Sequence, residues 1–245
     1  MALCGGSDAA AVSEAEGFVP VFSIAGRVFG METPEVDPAR AVLPFDTARQ
    51  GIVFGEGAAW FVLETVEHAR ARGAEALGWV LGVGASADAH HPSSPEPSGR
   101  WQAHAMDLAL TDADLEPSQV DVVLAHATGT PKGDLAEARS LQQVFEGCQA
   151  RPPVTALKGH TGHTGGSSGA MSMVAALDVL RTGRVEPVRG TTELDPDVAI
   201  DVVIGGPREL RAEVAMINAF GFGGQNACAV ISAGDRTPDE GTDAR

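Results

Sequence analysis

The apolar and polar positions divide the chain into short strand-like runs and helices, and the pattern is most regular in the second half. Met1 to Ala9 opens on a short apolar stretch, Ala2-Leu-Cys, followed by Gly5-Gly6. It reads as a buried strand. A chain that begins on such a strand implies a preceding segment, or a second chain covering that edge. Residues 13–29 read as a helix broken by Pro20, and 30–50 as loop. Ala58 to Glu64 is a strand-type run. Val66 to Arg72 is a short helix with Gly73 as its stop. Leu77 to Ala85 is a further strand, and the Pro- and Ser-rich stretch Asp88 to Gly99 is a loop.

From Gly99 the elements alternate as αβαβα. Trp101 to Leu110 is a helix, and Val120 to Ala125 a buried apolar strand. Asp134 to Phe145 is a helix with Asp134 as its expected N-cap. Val154 to Leu157 is a strand. Ser167 to Leu180 is a helix whose Ala, Ser and Met content suits close packing, so it is read as buried. Val202-Val-Ile, Val214 to Ile217 and Ala227 to Ile231 are strands. The tail from Asp235 to Arg245 is polar, with Pro and Gly, and is expected to be disordered. The organisation that follows is an end segment over 1–98, a second unit over 99–233 and a tail over 234–245.

At 245 residues the chain is long enough to bury a sizeable core in one large domain or two small ones. A net charge of −16 disfavours nucleic acid or an anionic membrane as partner, since both need a basic footprint. No apolar run is long enough to span a bilayer, and the first residues lack the pattern of a signal peptide, so the expected location is cytoplasmic. Cys4, Cys148 and Cys228 are scattered and odd in number, which fits reduced thiols.

Three segments carry candidate chemistry. They are His126-Ala-Thr-Gly-Thr-Pro-Lys-Gly-Asp134, Lys158-Gly-His-Thr-Gly-His-Thr-Gly-Gly166 and Asn218-Ala-Phe-Gly-Phe-Gly-Gly224. Each follows a strand, and in α/β sheets ligands gather beyond the carboxyl ends of strands. A single histidine there is ordinarily structural, but two such loops after two strands are less easily an accident. Lys158 at a strand end needs a carboxylate, an anion or solvent to offset its burial. The glycine turn around Phe222 allows close backbone approach to a ligand, and its N–H groups suit an oxyanion site; a plain tight turn is the alternative. His90 with His91, or His160 with His163, lack further ligands at a metal-binding spacing. No phosphate loop of the Gly-x-x-x-x-Gly-Lys-Ser/Thr type is present. Ser167 and Ser168 lie near His163 and are read as lining the start of a helix.

Together these segments resemble the β-ketoacyl synthases of the thiolase-like superfamily, and the stand-alone elongating synthases in particular. Pro44-Phe-Asp-Thr-Ala-Arg49, Gly55-Glu56-Gly57 and Asp88-Ala-His-His-Pro fit the same resemblance. It implies an α/β fold of two similar halves layered αβαβα, here incomplete: the end of the first half and all of the second. It implies decarboxylative condensation, in which a cysteine holds an acyl chain and a malonyl thioester loses CO2 to form the attacking carbanion. His126 and His163 match the two catalytic histidines, and Lys158 the supporting lysine. Phe222 matches the gating phenylalanine, with Gly223 beside it in the oxyanion turn. Thr128 and Thr130 match pantetheine-contacting threonines, and Asn226 a position behind the glycine loop. No cofactor or metal is implied, because substrates ride on the phosphopantetheine of an acyl carrier protein.

Two departures stand out. The family's cysteine lies upstream of the segment matched by Ala2 to Gly6, so no nucleophile is expected in these residues. Cys4 instead reads as a core residue. Ser172 stands where some elongating members place a glutamate near the lysine. The expected partners are therefore a cysteine-bearing ketosynthase half or ketosynthase-like subunit, and a carrier protein docked near basic residues such as Arg70, Arg72 and Lys132. The alternatives are a non-condensing partner subunit similar to chain-length factors, a malonyl-thioester decarboxylase, and a truncated inactive fragment.

Overall fold

The computed structural model describes residues 1–8 and 40–234. The helix expected over 13–29, the tail from Asp235 and most of the loop expected over 30–50 lie outside the described residues.

Two strands at the start form an antiparallel pair: β1 (Ala2–Asp8) and β2 (Gly57–Leu63). After them comes the short helix α1 (Val66–Ala71), capped at its start by the Thr65 hydroxyl. Then follow β3 (Gly78–Ala87), α2 (Arg100–Asp112), β4 (Val122–Leu124), α3 (Pro131–Val144) and β5 (Val154–Thr155). The remaining elements are the single turn α4 (Lys158–Thr161), α5 (Ser168–Thr182), the small pair β6 (Arg184–Val185) and β7 (Arg208–Glu209), β8 (Val214–Gly221) and β9 (Gln225–Ala233).

Five strands make the central sheet in the order β3-β9-β8-β4-β5. β8, β4 and β5 run parallel, and β9 is antiparallel to both of its neighbours. The short β4 is apolar on both faces, as a strand covered on both sides must be. Val123 and Met216 point to the face covered by α2 and α3, where Met106, Ala109, Ala138 and Leu141 complete one core. Val122, Leu124, Ala215 and Ile217 point to the other face, against Ala176, Val179 and Leu180 of α5. This alternation is the period of a strand read directly in packing.

α2 sits unusually close to β3. A Cβ on Gly82 would lie 2.4 Å from the Ala109 carbonyl oxygen, and one on Gly84 2.0 Å from that of Ala105. The Gly-x-Gly spacing in β3 therefore makes a groove for the helix backbone. α5 is covered on its opposite side by the β1–β2 pair, where Gly57 abuts Met171 and Gly6 abuts Gly166. The layers thus run helix, sheet, helix, sheet, four of the five in the expected αβαβα order.

Several expectations need correction. Asp134 is not the N-cap of α3. The Thr130 hydroxyl caps that helix by accepting from the Gly133 N–H at 3.1 Å, Pro131 fills the first helical position, and Asp134 lies buried inside the first turn. Val202 makes only an isolated bridge to Val154, so 202–204 is not a strand. The strand expected to run to Leu157 ends at Thr155, and Lys158 opens a helical turn instead. The boundary drawn at residue 99 cuts through the central sheet, because β3 is one of its strands. Cys4 is exposed on β1 rather than in a core.

Candidate active site

The site lies where β4, β5 and β8 end. His126 leaves the end of β4, and it is locked there by a carboxylate. Glu137, fully buried on α3, accepts the His126 backbone N–H at 2.8 Å and the Ala127 N–H at 2.7 Å. Two successive N–H groups can converge on one carboxylate because Ala127 takes a positive φ of 27°, a conformation that costs a non-glycine residue free energy. Asn218 of β8 donates to the same carboxylate at 3.1 Å.

Lys158 is buried next to this knot. Its ammonium donates to the His126 carbonyl at 2.5 Å and stands 3.4 Å from His126 Nδ1. Burial pulls its pKa down to about 8, against the opposing pull of the Glu137 and Asp134 carboxylates. Burial raises the Glu137 pKa, while its three N–H donors and Lys158 lower it. Every contact named for Glu137 is a donor to it, which suits the ionised form. His126 is held neutral: burial lowers its pKa well below the ordinary imidazole range, and the Lys158 charge pushes the same way, as a proton on His163 would.

His163 lies in the loop between α4 and α5. The chain on both sides of Phe54 clamps it, with the His163 N–H donating to the Val53 carbonyl at 2.7 Å and the Gly55 N–H to the His163 carbonyl at 3.0 Å. Its ring stands edge-to-face with His126, centroids 5.7 Å apart and planes at 84°. The Gly165 backbone N–H donates to His163 Nδ1 at 3.0 Å. A backbone N–H can only donate, so Nδ1 is the acceptor and the proton of the neutral ring sits on Nε2. Lys158 imposes the same tautomer on His126 by facing its Nδ1. Two half-buried neutral imidazoles, each with its one N–H on Nε2, suit an oxygen that gains negative charge.

The glycine turn closes the site. Phe222 is about half exposed at its tip, and Phe220 packs at 5.5 Å from the His126 ring. The Gly223 N–H is already given to the Pro92 carbonyl at 2.7 Å, so that group is committed to holding the turn. Gly224, at φ +76°, lets the backbone pass Asp88, whose Cβ would meet an added Cβ at 2.8 Å. Asn226 donates to Asp88 Oδ1 at 2.7 Å and ties the same two loops together. Thr128 and Thr130 face each other at 3.0 Å, Thr130 serving also as the α3 cap.

The structure thus gathers His126, His163 and Lys158, with Phe222 and Asn226 in the turn nearby. Of the basic residues, Arg72 pairs with Glu64, and Lys132 stands at the start of α3, two residues beyond Thr130. His160 Nε2–H donates to the Pro187 carbonyl at 2.9 Å, apart from the two imidazoles. None of the three cysteines is poised as a nucleophile. Cys228 is buried with its thiol pKa raised by desolvation, Cys4 lies on β1, and Cys148 follows α3. Sequence reasoning missed Glu137, Asp134 and Asn218. Two carboxylates one helical turn apart, just after Thr-Gly-Thr-Pro, and an asparagine ending an apolar strand were the available signals.

Residues 77–192 match the family described as the C-terminal domain of β-ketoacyl synthases. The 3-oxoacyl-[acyl-carrier-protein] synthase 2 of Mycobacterium tuberculosis is 40% identical over 225 residues, which are 92% of this chain and 52% of that protein. The solved ishigamide ketosynthase/chain length factor superposes with a TM-score of 0.81 at 36% identity, covering 94% of this chain and 53% of the other. AntDE:AntF, a type II polyketide synthase carrier protein in complex with its ketosynthase, gives a TM-score of 0.84 at 27% identity and covers 94% and 55%. The chain spans about half the length of these relatives. Their shared layering and sequence show that the chain belongs to the β-ketoacyl synthase family, with a thiolase-like fold, and corresponds to its C-terminal part.

Proposed function

We propose that this chain supplies the decarboxylating half of a split β-ketoacyl synthase, the nucleophilic cysteine coming from a partner chain. The observation that carries the reading is the facing pair of imidazoles, His126 and His163, whose Nδ1 atoms face the Lys158 ammonium and the Gly165 N–H respectively, which puts the N–H of each neutral ring on Nε2. A malonyl thioester on a carrier's phosphopantetheine would place its carbonyl oxygen between them. The bond from Cα to the carboxylate breaks, CO2 leaves, and the electron pair moves into an enolate whose oxygen takes both N–H bonds. The carbanion then attacks the acyl-cysteine carbonyl. A carbon–carbon bond forms, the carbon–sulfur bond breaks, and the thiolate departs. Phe222 gates the acyl entry, its backbone N–H serving as an oxyanion donor, and Thr128 and Thr130 line the pantetheine path.

Two features of the chain support a partner. The β1–β2 pair packs on α5, and its outward face carries Leu3, Trp60 and Val62 more than half exposed. Relatives of this architecture include a ketosynthase with its chain length factor and one with its carrier protein. The intact histidine pair, Lys158 and the gating turn favour the split synthase over a non-condensing subunit. The test is co-expression with a cysteine-bearing thiolase-like half, followed by acyl loading and condensation on a carrier protein. Condensation lost in His126→Ala and in His163→Ala supports the assignment; condensation unchanged in both refutes it.

A further inference from the structure

The first turn of α5 and the loop before it hold two buried hydroxyls that the mechanism above does not use. Ser168 Oγ lies 3.2 Å from His163 Nδ1, and Thr164 Oγ1 lies 3.2 Å from Ser168 Oγ. Both residues are buried, Thr164 almost completely. A hydroxyl has one hydrogen, so the polarity of this chain is restricted. Nδ1 accepts from the Gly165 N–H, so it carries no hydrogen and the acceptor lies at the His163 end; its single in-plane lone pair is shared between the Gly165 N–H at 3.0 Å and the Ser168 hydroxyl at 3.2 Å. The arrangement that uses every donor runs from the Thr164 O–H to Ser168 Oγ, and from the Ser168 O–H to His163 Nδ1. Hydrogen bonds linked in this way polarise and strengthen one another.

We propose that Ser168, oriented by Thr164, is a positioning residue that holds His163 Nδ1 as an acceptor and so keeps the ring proton on Nε2. This rests on the reading of His163 as an N–H donor to a developing oxyanion. In either the Nδ1–H tautomer or the imidazolium, the ring N–H meets the Gly165 N–H head to head. The imidazolium can turn toward Ser168 only by reversing the hydroxyl chain and displacing the Thr164 hydrogen. Residues 53–55 and the first turn of α5 carry no ionisable side chain. Among the described residues, the ionisable groups on the His126 side of the ring are His126 and, behind it, Lys158 with Glu137. Removing the Ser168 hydroxyl therefore weakens the hold on Nδ1 without changing the charges around it.

The experiment reads the imidazole nitrogens of the full chain by 15N–1H correlation NMR, with His163 assigned from its loss in His163→Gln. The wild type should show an unprotonated Nδ1 and a protonated Nε2. Ser168→Ala should raise the His163 titration midpoint by about half to one pH unit, a roughly three- to tenfold change in the protonation constant. Ser168→Thr should return it toward wild type, and Thr164→Val should give a smaller rise. A His163 titration unchanged in both Ser168→Ala and Thr164→Val overturns the proposal, as does a wild-type ring protonated on Nδ1. The signal needs neither partner nor turnover. If the shifts occur while no malonyl-thioester decarboxylation is found with the partner, the functional reading fails and the positioning role stands.

Discussion

At the scale of the residue, the site is governed by what happens to charge when it is buried. His126 is held neutral by desolvation and by Lys158, so its catalytic form persists to unusually low pH. A depressed pKa means the neutral ring is present above it and lost as pH falls through it. His126 should therefore titrate below the ordinary imidazole range, checked by following its ring nitrogens against pH with 15N NMR. Lys158, held to about 8, should give malonyl-thioester decarboxylation an alkaline limb near that value that disappears in Lys158→Met, checked by CO2 release against pH. Glu137 makes a different demand. Glu137→Gln turns an acceptor toward three N–H donors into a group with donors of its own, leaving at least one buried N–H unsatisfied. It should cost about 1–3 kcal/mol in urea unfolding, whereas a loss below measurement would remove Glu137 from the account. The histidines were legible in the sequence because each follows an apolar strand and opens a glycine- and threonine-rich loop. Glu137 was not, because a carboxylate on an amphipathic helix normally reads as its solvent face; only the packed structure turns it inward.

At the scale of the element, close approach rather than propensity decides the packing. β3 accepts α2 because Gly82 and Gly84 carry no side chain toward it. Gly84→Val should cost about 3 kcal/mol or more, since its Cβ would overlap a helix carbonyl that cannot yield without moving α2. Gly206→Ala, with open space around it, should change stability by less than about 0.5 kcal/mol in the same thermal or urea melts. A cost in Gly84→Val no larger than in Gly206→Ala would show that the close α2–β3 packing is not what stabilises this layer. Element type was readable from periodicity for β2, β3, α2, α5, β8 and β9. The ends were less so. Asp134 looks like an N-cap by residue type, yet Thr130 and Pro131 take the cap and first helical position together. Val202-Val-Ile has the composition of a strand but contributes one bridge, to Val154.

At the scale of the whole molecule, the exposed outer face of β1–β2 is the least self-sufficient part. Leu3, Trp60 and Val62 share one side of the pair because opposed residues in an antiparallel ladder point the same way. On the reading of a partner chain, Trp60→Asp should reduce co-purification with the cysteine-bearing half at least tenfold while leaving the far-UV circular dichroism unchanged; full recovery of the complex would place the contact elsewhere. The layered class was legible from the alternating elements; the exposed outer face of β1–β2 was not, since Leu3 and Cys4 read in the sequence as part of a buried strand. The most direct measurement of the central claim is CO2 release from malonyl-carrier protein by the chain assembled with its cysteine-bearing half. The account predicts that His126→Ala and His163→Ala each lower that rate by about 100-fold or more while the assembly stays intact. Decarboxylation at the wild-type rate in both variants would contradict it.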